Sequence, residues 1–300
     1  MRRLLALALL VVPLTAAASA AAAPDPRVTV ISDSVMTAVL WHPENVAILD
    51  QGVDLDMEVA VCRRLAGASC VFEGAAPPTL LDLLPSLPNL GSTVVVEMGY
   101  NDFPSSFRAN VDATIRQLTA RGVSRIVWPT LNVSKPELAG MNQVLIEEML
   151  ANPQLSLVDW DTYSDGHPDW CQTDSLHLMP AGGTGIATLV HAALAAPLAL
   201  PVPSAIPAGR RGVAYETHLA GPTAGTWRVF SGSLPPGLHL TADGVISGRP
   251  LQTGVFAAEL LFRSADFQLG HRHIEVRVGA APQSTLPGTA RPNQRGSPAP

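Results

Sequence analysis

Aromatic side chains make up only 5% of this 300-residue chain and charged side chains only 15%. So little charge against 47% hydrophobic residues excludes an intrinsically disordered chain and leaves ample material for a packed core. Basic residues are also few: 19 Lys and Arg stand against 25 Asp and Glu, a formal net charge of −6. No basic stripe runs along any segment, which excludes nucleic acid as the expected partner. There are three cysteines, Cys62, Cys70 and Cys171, with no C-x-x-C pair and no Cys/His spacing of a zinc site. No metal and no cofactor are therefore expected. Beyond the first residues no apolar run is long enough to span a bilayer.

One apolar run does exist, at the start. "MRRLLALALLVVPLTAAASAAAAP" places two arginines before an apolar stretch from Leu4 to Leu14, then small residues with A-x-A spacing. That is the form of a secretory signal peptide, assigned to 1–23. The stretch contains Pro13 and is too short to span a membrane. The expected location is secreted, periplasmic or extracellular, with no stable membrane span after cleavage. Export permits disulfides. Cys62 and Cys70 flank "CRRLAGASC", where Gly67 lets the loop turn back, so a Cys62–Cys70 bridge is expected. Cys171 is then the odd one, either buried or a free thiol.

Strand and helix patterns alternate after the leader. "RVTVIS" (27–32), "VDLDMEVAV" (53–61), "STVVVEM" (92–98), "SRIVWPT" (124–130) and "LSLVDW" (155–160) read as strands. The second alternates with period 2, as a half-buried strand does, whereas the third is continuously apolar, as a central strand is. Helices are expected over 105–120, where Phe107, Val111, Ile115 and Leu118 recur, over 135–150, with Leu138, Met141, Leu145 and Met149, and over 180–196. The alternation predicts an α/β domain with a parallel sheet over 24–197. "PLALPVPSAIPAG" then carries four prolines in thirteen residues, and 198–208 reads as a Pro-rich linker. Short β-type runs separated by Gly and Pro turns suggest a small β-sandwich over 209–278. The segment 279–300 holds almost no apolar bulk and is expected to be disordered.

Ligands of parallel sheets bind beyond the carboxyl ends of the strands. Three polar clusters fall at such places: Ser32-Asp33-Ser34 after the first strand, "GYNDF" (99–103) after the third, and "DSLH" (174–177) before the last helix. Brought to one crevice, a Ser, a His and an Asp supply a nucleophile, its base and the base's orienter. An Asn there can donate to a developing oxyanion. Taken alone, Ser34 reads as a helix cap, and Asn101 can be read as a turn residue.

Together the three clusters resemble blocks I, III and V of the SGNH (GDSL) hydrolases, in the family's order, over roughly 27–197. The resemblance implies a three-layer α/β/α flavodoxin-like fold with a five-stranded parallel sheet. It also implies an ester hydrolase that works through an acyl-serine intermediate. Carried over by motif, Ser34 is the nucleophile, His177 the base and Asp174 its orienter. Asn101 and the Ser34 backbone N–H form the oxyanion hole, and Gly99 and Asp33 support it. Asp33 is read as a turn-former and Asp102 as structural. The chain departs from the family twice. Ser32 stands where the family keeps Gly, and the block II Gly is not evident, so a backbone N–H near Cys62 or Arg63 is left to serve and the second donor stays unassigned.

The segment 231–256 is similar to Ig-like repeats of bacterial surface proteins, which implies a β-sandwich that contacts a cell surface or carbohydrate. Two further pairs attract notice. His271 and His273 share one face of a strand and are read as solvent-facing, and Trp160 and Trp170 either line the site mouth or pack. The function expected is a secreted serine esterase or lipase-like hydrolase on an ester substrate, an acylated glycan or lipid being candidates. One alternative is an O-acetyltransferase or deacetylase acting on cell-wall or exported glycans. The other is a non-catalytic surface-binding protein on a degenerate hydrolase fold.

Overall fold

A computed structural model of the chain describes residues 26–201, 205–219, 221–222 and 224–281. The expected signal peptide and most of the expected disordered tail lie outside the described residues.

The first part of the chain runs β1 (Arg27–Ser32), α1 (Thr37–Leu40), α2 (Pro43–Leu49), β2 (Asp54–Val59), α3 (Leu80–Leu83), β3 (Thr93–Glu97), α4 (Pro104–Ala120), β4 (Arg125–Pro129), α5 (Pro136–Ala151), β5 (Leu155–Val158), α6 (Trp160–Asp165) and α7 (Pro180–Ala195). Strands β2-β1-β3-β4-β5 lie side by side in that order, every neighbouring pair parallel. Side chains alternate across the sheet. Ile31, Val94, Val96, Ile126 and Trp128 pack beneath α3, α4 and α5, whereas Val28, Val30, Val95, Val127 and Val158 pack against α1, α2 and α7. Such double-sided burial explains why the β3 segment reads as an unbroken apolar run. The edge strand β2 is only half-buried, in keeping with its period-2 sequence.

The long helices are punctuated chemically. Each of α4, α5 and α7 begins with proline in its first turn, where the missing N–H costs no intrahelical bond and φ is already helical. Helix α4 stops at Gly122, whose φ of +87° suits a left-handed C-terminal cap. Phe107, Val111, Ile115 and Leu118 all face the core, as their spacing predicts.

The second part contains β6 (Gly209–Arg210), β7 (Tyr215–His218), β8 (Gly225–Gly232), β9 (Leu238–Leu240), β10 (Val245–Gly248), β11 (Gly254–Ser264) and β12 (Gln268–Gly279). One sheet is β7-β10-β9 and the other β12-β11-β8, with Tyr215, Trp227, Ile246, Leu260, Phe262 and Val276 buried between them. The two parts share a sheet. Gln268 and Leu269 of β12 pair antiparallel with Val158 and Leu157 of β5, so that β12-β11-β8 continues the parallel sheet at its β5 edge. A bare strand edge is a template for aggregation, and this one is covered from within the chain. Three polar contacts pin the seam. The Gln268 amide donates to the Ala196 carbonyl at 2.8 Å while its oxygen accepts from the Leu198 N–H at 2.8 Å, and Arg263 pairs with Asp159 at 3.2 Å.

Candidate active site

The nucleophile candidate sits immediately past β1. Ser34 is 8% exposed, and its hydroxyl oxygen lies 3.0 Å from Nε2 of His177. His177 Nδ1 lies 2.6 Å from Oδ2 of Asp174. A carboxylate can only accept here, so Nδ1 carries the proton and Nε2 is left to accept from Ser34. The Asp174 side chain is also locked from below, because its Oδ1 accepts from the N–H groups of Leu176 and His177, both at 3.0 Å. The hydrogen bond from the imidazole, then that from Leu176, lowers its pKa to about 2. The carboxylate is therefore ionised at neutral pH.

The loop that carries both residues has its own architecture. Cys171 and Leu178 form a β-bridge, the Gln172 N–H donates to the His177 carbonyl at 2.7 Å, and Ser175 at the tip has a left-handed φ of +57°. Asp174 and His177 are thus presented by a closed hairpin. Trp170 anchors its base, stacked on His167 at 3.8 Å between ring centres and on the fully buried Trp160 at 5.9 Å. The tryptophan pair packs. Cys171 is a free, half-buried thiol, its pKa raised by burial.

Asn101 follows β3 through Gly99, whose φ of +145° is glycine-specific and whose missing Cβ would press on Leu131 at 2.9 Å. The Asn101 amide nitrogen donates to Asp33 Oδ2 at 3.2 Å and to the Arg63 carbonyl at 3.3 Å. The next residue, Asp102, makes no hydrogen bond to Ser34, Asp174 or His177 among the described residues. It accepts from the Leu65 N–H at 3.2 Å and from Asn110 at 3.3 Å, tying the loop after β2 to the end of β3. Burial raises its pKa to about 6. Asp33 is fully buried and also accepts from the Val35 N–H at 3.0 Å, the turn-forming bond expected of it, and burial raises its pKa to about 7.

The loop after β2 carries the Cys62–Cys70 disulfide. Cys62 itself adopts φ +73°, a conformation that normally favours glycine. The Arg63 N–H is engaged by the Ala60 carbonyl at 3.2 Å, whereas the N–H groups of Cys62 and Ser34 make no hydrogen bond among the described residues. A cavity of about 370 Å³ adjoins Asn101, lined by Tyr100, Phe103, Lys135, Leu138, Met141 and Leu176.

Sequence reasoning brought forward Ser34, Asn101, Asp174 and His177, and the structure gathers all four at one end of the sheet. It did not single out Glu97, a wholly buried acid opposite Ser32, and it named Arg63 only for its backbone N–H, not for the buried guanidinium that bonds the carbonyls of Glu58 and Pro78. A strand-end Glu looks like any solvent-facing polar residue, so only the β1–β3 register, which sets Ser32 beside Glu97, could have exposed it. His271 and His273 of β12 flank Glu259 of β11, His273 at 2.6 Å. Among the described residues no group of three or more His, Cys, Asp or Glu could hold a metal ion. No helix among them is long and apolar enough to cross a membrane.

No family model and no curated protein matches the chain. Among solved structures it is similar to the aryl esterase of M. smegmatis, with 14% identity and a TM-score of 0.42 over 57% of this chain and 98% of that one. A carbohydrate acetylesterase from Sinorhizobium meliloti gives 15% identity and a TM-score of 0.41 over 57% and 98%. It is also similar, with 21% identity and a TM-score of 0.24, to a Bacteroides fragilis protein provisionally assigned as an alpha-galactosidase. The match there covers 27% of this chain, which spans only 17% of that protein's length.

Proposed function

We propose that the chain is a serine esterase that cleaves carboxylic esters through an acyl-serine intermediate. The observation that carries this reading is the unbroken relay Ser34–His177–Asp174 at 3.0 and 2.6 Å, with a tautomer that leaves His177 Nε2 free to accept. As Ser34 Oγ attacks the ester carbonyl, His177 takes its proton and then delivers it to the departing alkoxide. Water, activated by the same imidazole, releases the acid. Asp174 stabilises the imidazolium and remains ionised throughout.

The negative oxygen that develops on the carbonyl needs donors already in place. The Ser34 N–H is unengaged among the described residues. The Asn101 amide is held by Asp33 at 3.2 Å and by the Arg63 carbonyl at 3.3 Å, and it donates to the oxyanion by giving up the bond to Arg63 while Asp33 keeps its orientation. Of the two backbone N–H groups the sequence left open, that of Arg63 is spent on the Ala60 carbonyl and that of Cys62 is not, which favours Cys62 as the second backbone donor. The cavity lined by Leu138, Met141 and Leu176 takes one side of the ester. The strand order β2-β1-β3-β4-β5 supports the flavodoxin-like layout and the strand-end placement of the site. The leader and the disulfide support export, and the second sheet pair supports an Ig-like unit beginning near residue 209.

The test is labelling of the purified chain with a fluorophosphonate, alongside hydrolysis of a short-chain p-nitrophenyl ester. Stoichiometric labelling that disappears in Ser34→Ala is expected. Ester turnover that survives unchanged in Ser34→Ala rejects the reading.

A further inference from the structure

Beneath the nucleophile, three polar side chains share the dry interior at the ends of β1 and β3. Ser32, Asp33 and Glu97 each have no exposed surface. The Ser32 hydroxyl oxygen lies 2.8 Å from the main-chain oxygen of Glu97 and also 2.8 Å from Glu97 Oε2. A serine carries one proton. The main-chain oxygen can only accept, so that proton belongs there; otherwise two oxygens would face each other at 2.8 Å with nothing between them. The second contact then requires a proton on the Glu97 carboxyl, with Ser32 accepting. Glu97 Oε1 adds an independent sign, for it is buried and has no hydrogen-bond partner. A bare carboxylate oxygen in the core is far more costly than the carbonyl oxygen of a neutral acid.

Asp33 has the opposite surroundings. Its two oxygens accept from the Val35 N–H and the Asn101 amide, one on the backbone just past Ser34 and the other on the candidate oxyanion donor. Asp102 and His177 face Asp33 electrostatically, and the buried Arg63 guanidinium also interacts with it. Glu97 is faced by Asp33, Ser32 and Tyr100. Burial raises both acids, Asp33 to about 7 and Glu97 well above its ordinary range. Two donors hold the ionised form of Asp33, whereas Glu97 Oε1 has none, so the hydrogen bonds favour the charge on Asp33.

We propose that Asp33 is the positioning residue of the oxyanion hole, and that Ser32 and Glu97 form a proton-holding pair that leaves the negative charge of the Asp33–Glu97 pair on Asp33. The serine that stands in the family's glycine position thereby acquires a task, and its partner is the acid on the neighbouring strand. The positioning half of the proposal rests on Ser34 being the nucleophile; the proton on Glu97 does not.

Infrared difference spectroscopy at mildly alkaline pH reads that proton directly. A buried protonated-carboxyl C=O band is expected in the wild type, lost in Glu97→Gln and retained in Asp33→Asn. In Ser32→Ala the band moves to higher frequency, because the acid loses its acceptor. A wild-type spectrum without the band, a band that survives in Glu97→Gln, or no shift in Ser32→Ala overturns the pair. Kinetics read the positioning. Asp33→Asn sets an N–H against the Asn101 N–H, and kcat falls about 10- to 100-fold with KM little changed, by comparison with the loss of an oxyanion donor. Glu97→Gln, whose amide donates to Ser32 as the acid does, keeps about tenfold more activity than Asp33→Asn. Wild-type kcat in Asp33→Asn, with circular dichroism showing both proteins folded, overturns the positioning role. Should the chain hydrolyse no ester at all, the esterase reading fails while the infrared band still decides where the proton lies.

Discussion

Ser34 Oγ and His177 Nε2 stand 3.0 Å apart although 143 residues separate them in the chain. The contact joins the end of the first strand to the hairpin that precedes the last helix. It holds only if α7 docks closely on α1, since the hairpin runs directly into that helix.

On the proposed mechanism the relay acts as a unit, so its members should fail together. Ser34→Ala and His177→Ala are each expected to lower kcat on a short-chain p-nitrophenyl ester by roughly 10⁴- to 10⁶-fold, and the double variant by no more than either single one. Multiplicative losses in the double variant would mean that the two residues act separately. Asp174→Asn is expected to cost about 10²- to 10⁴-fold through loss of the correct tautomer.

The docking of α7 is tested by two glycines with opposite surroundings. A Cβ on Gly183 would lie 2.3 Å from the Ala38 carbonyl oxygen and 2.7 Å from the Asn45 amide, whereas one on Gly140, in the exposed face of α5, meets nothing within 4 Å. Backbone cannot step aside as a side chain can. Gly183→Ala is expected to destabilise the chain by about 1–3 kcal/mol and to lower kcat, because the hairpin moves with the helix. Gly140→Ala is expected to stabilise it by about 0.5–1 kcal/mol with kcat unchanged. Thermal unfolding of the two variants beside the wild type decides both.

How far the chain could be read before folding depends on the range of the interaction. The buried faces of α4 and α5 were legible because Phe107–Leu118 and Leu138–Met149 repeat within a few residues. The β3 core, Val94 to Val96, was legible because burial on both sides leaves an unbroken apolar run. Helices α1 and α2 went unread: they are one and two turns long, and Pro43 and Trp41 break any period. The joining of β12 to β5 rests on two residue pairs more than 100 positions apart, and no local pattern announces it. The site divides in the same way. Ser34, Asn101, Asp174 and His177 lie in short motifs, whereas Glu97 gains its meaning only from the register that sets it beside Ser32.

The disulfide gives a chemical count. With Cys62 and Cys70 bridged and Cys171 free, the denatured chain should titrate one thiol without reductant and three after reduction. The loop closed is short, so reduction is expected to remove about 2–3 kcal/mol of stability. A melting temperature unchanged by reductant would show that the hydrogen bonds of Leu65 and Asn101 hold this loop unaided.

Stability and activity should run in opposite directions with pH. Asp33 and Asp102 have pKa values raised by burial, to about 7 and about 6. An acid whose pKa rises on folding contributes stability that is complete below its unfolded value near 4 and lost as pH climbs through the folded value. From about pH 4 to 7, then, each of these residues withdraws stability, on the order of a few kcal/mol together. Asp174 has the reverse sign: its pKa is lowered to about 2, so its contribution is present above the unfolded value and disappears only as pH falls towards 2. Melting temperature should therefore peak in mildly acidic solution and decline towards neutrality. Over the same interval kcat should rise, because Asp33 must be ionised to hold Asn101. Asp102→Asn separates the two effects, since Asp102 touches the Leu65 N–H and Asn110 and no member of the relay. In that variant the decline in melting temperature between pH 5 and 7 becomes shallower, while the rise in kcat persists and moves to lower pH, because the Asp102 charge no longer raises Asp33. A decline as steep as in the wild type would show that Asp102 is already ionised at pH 5.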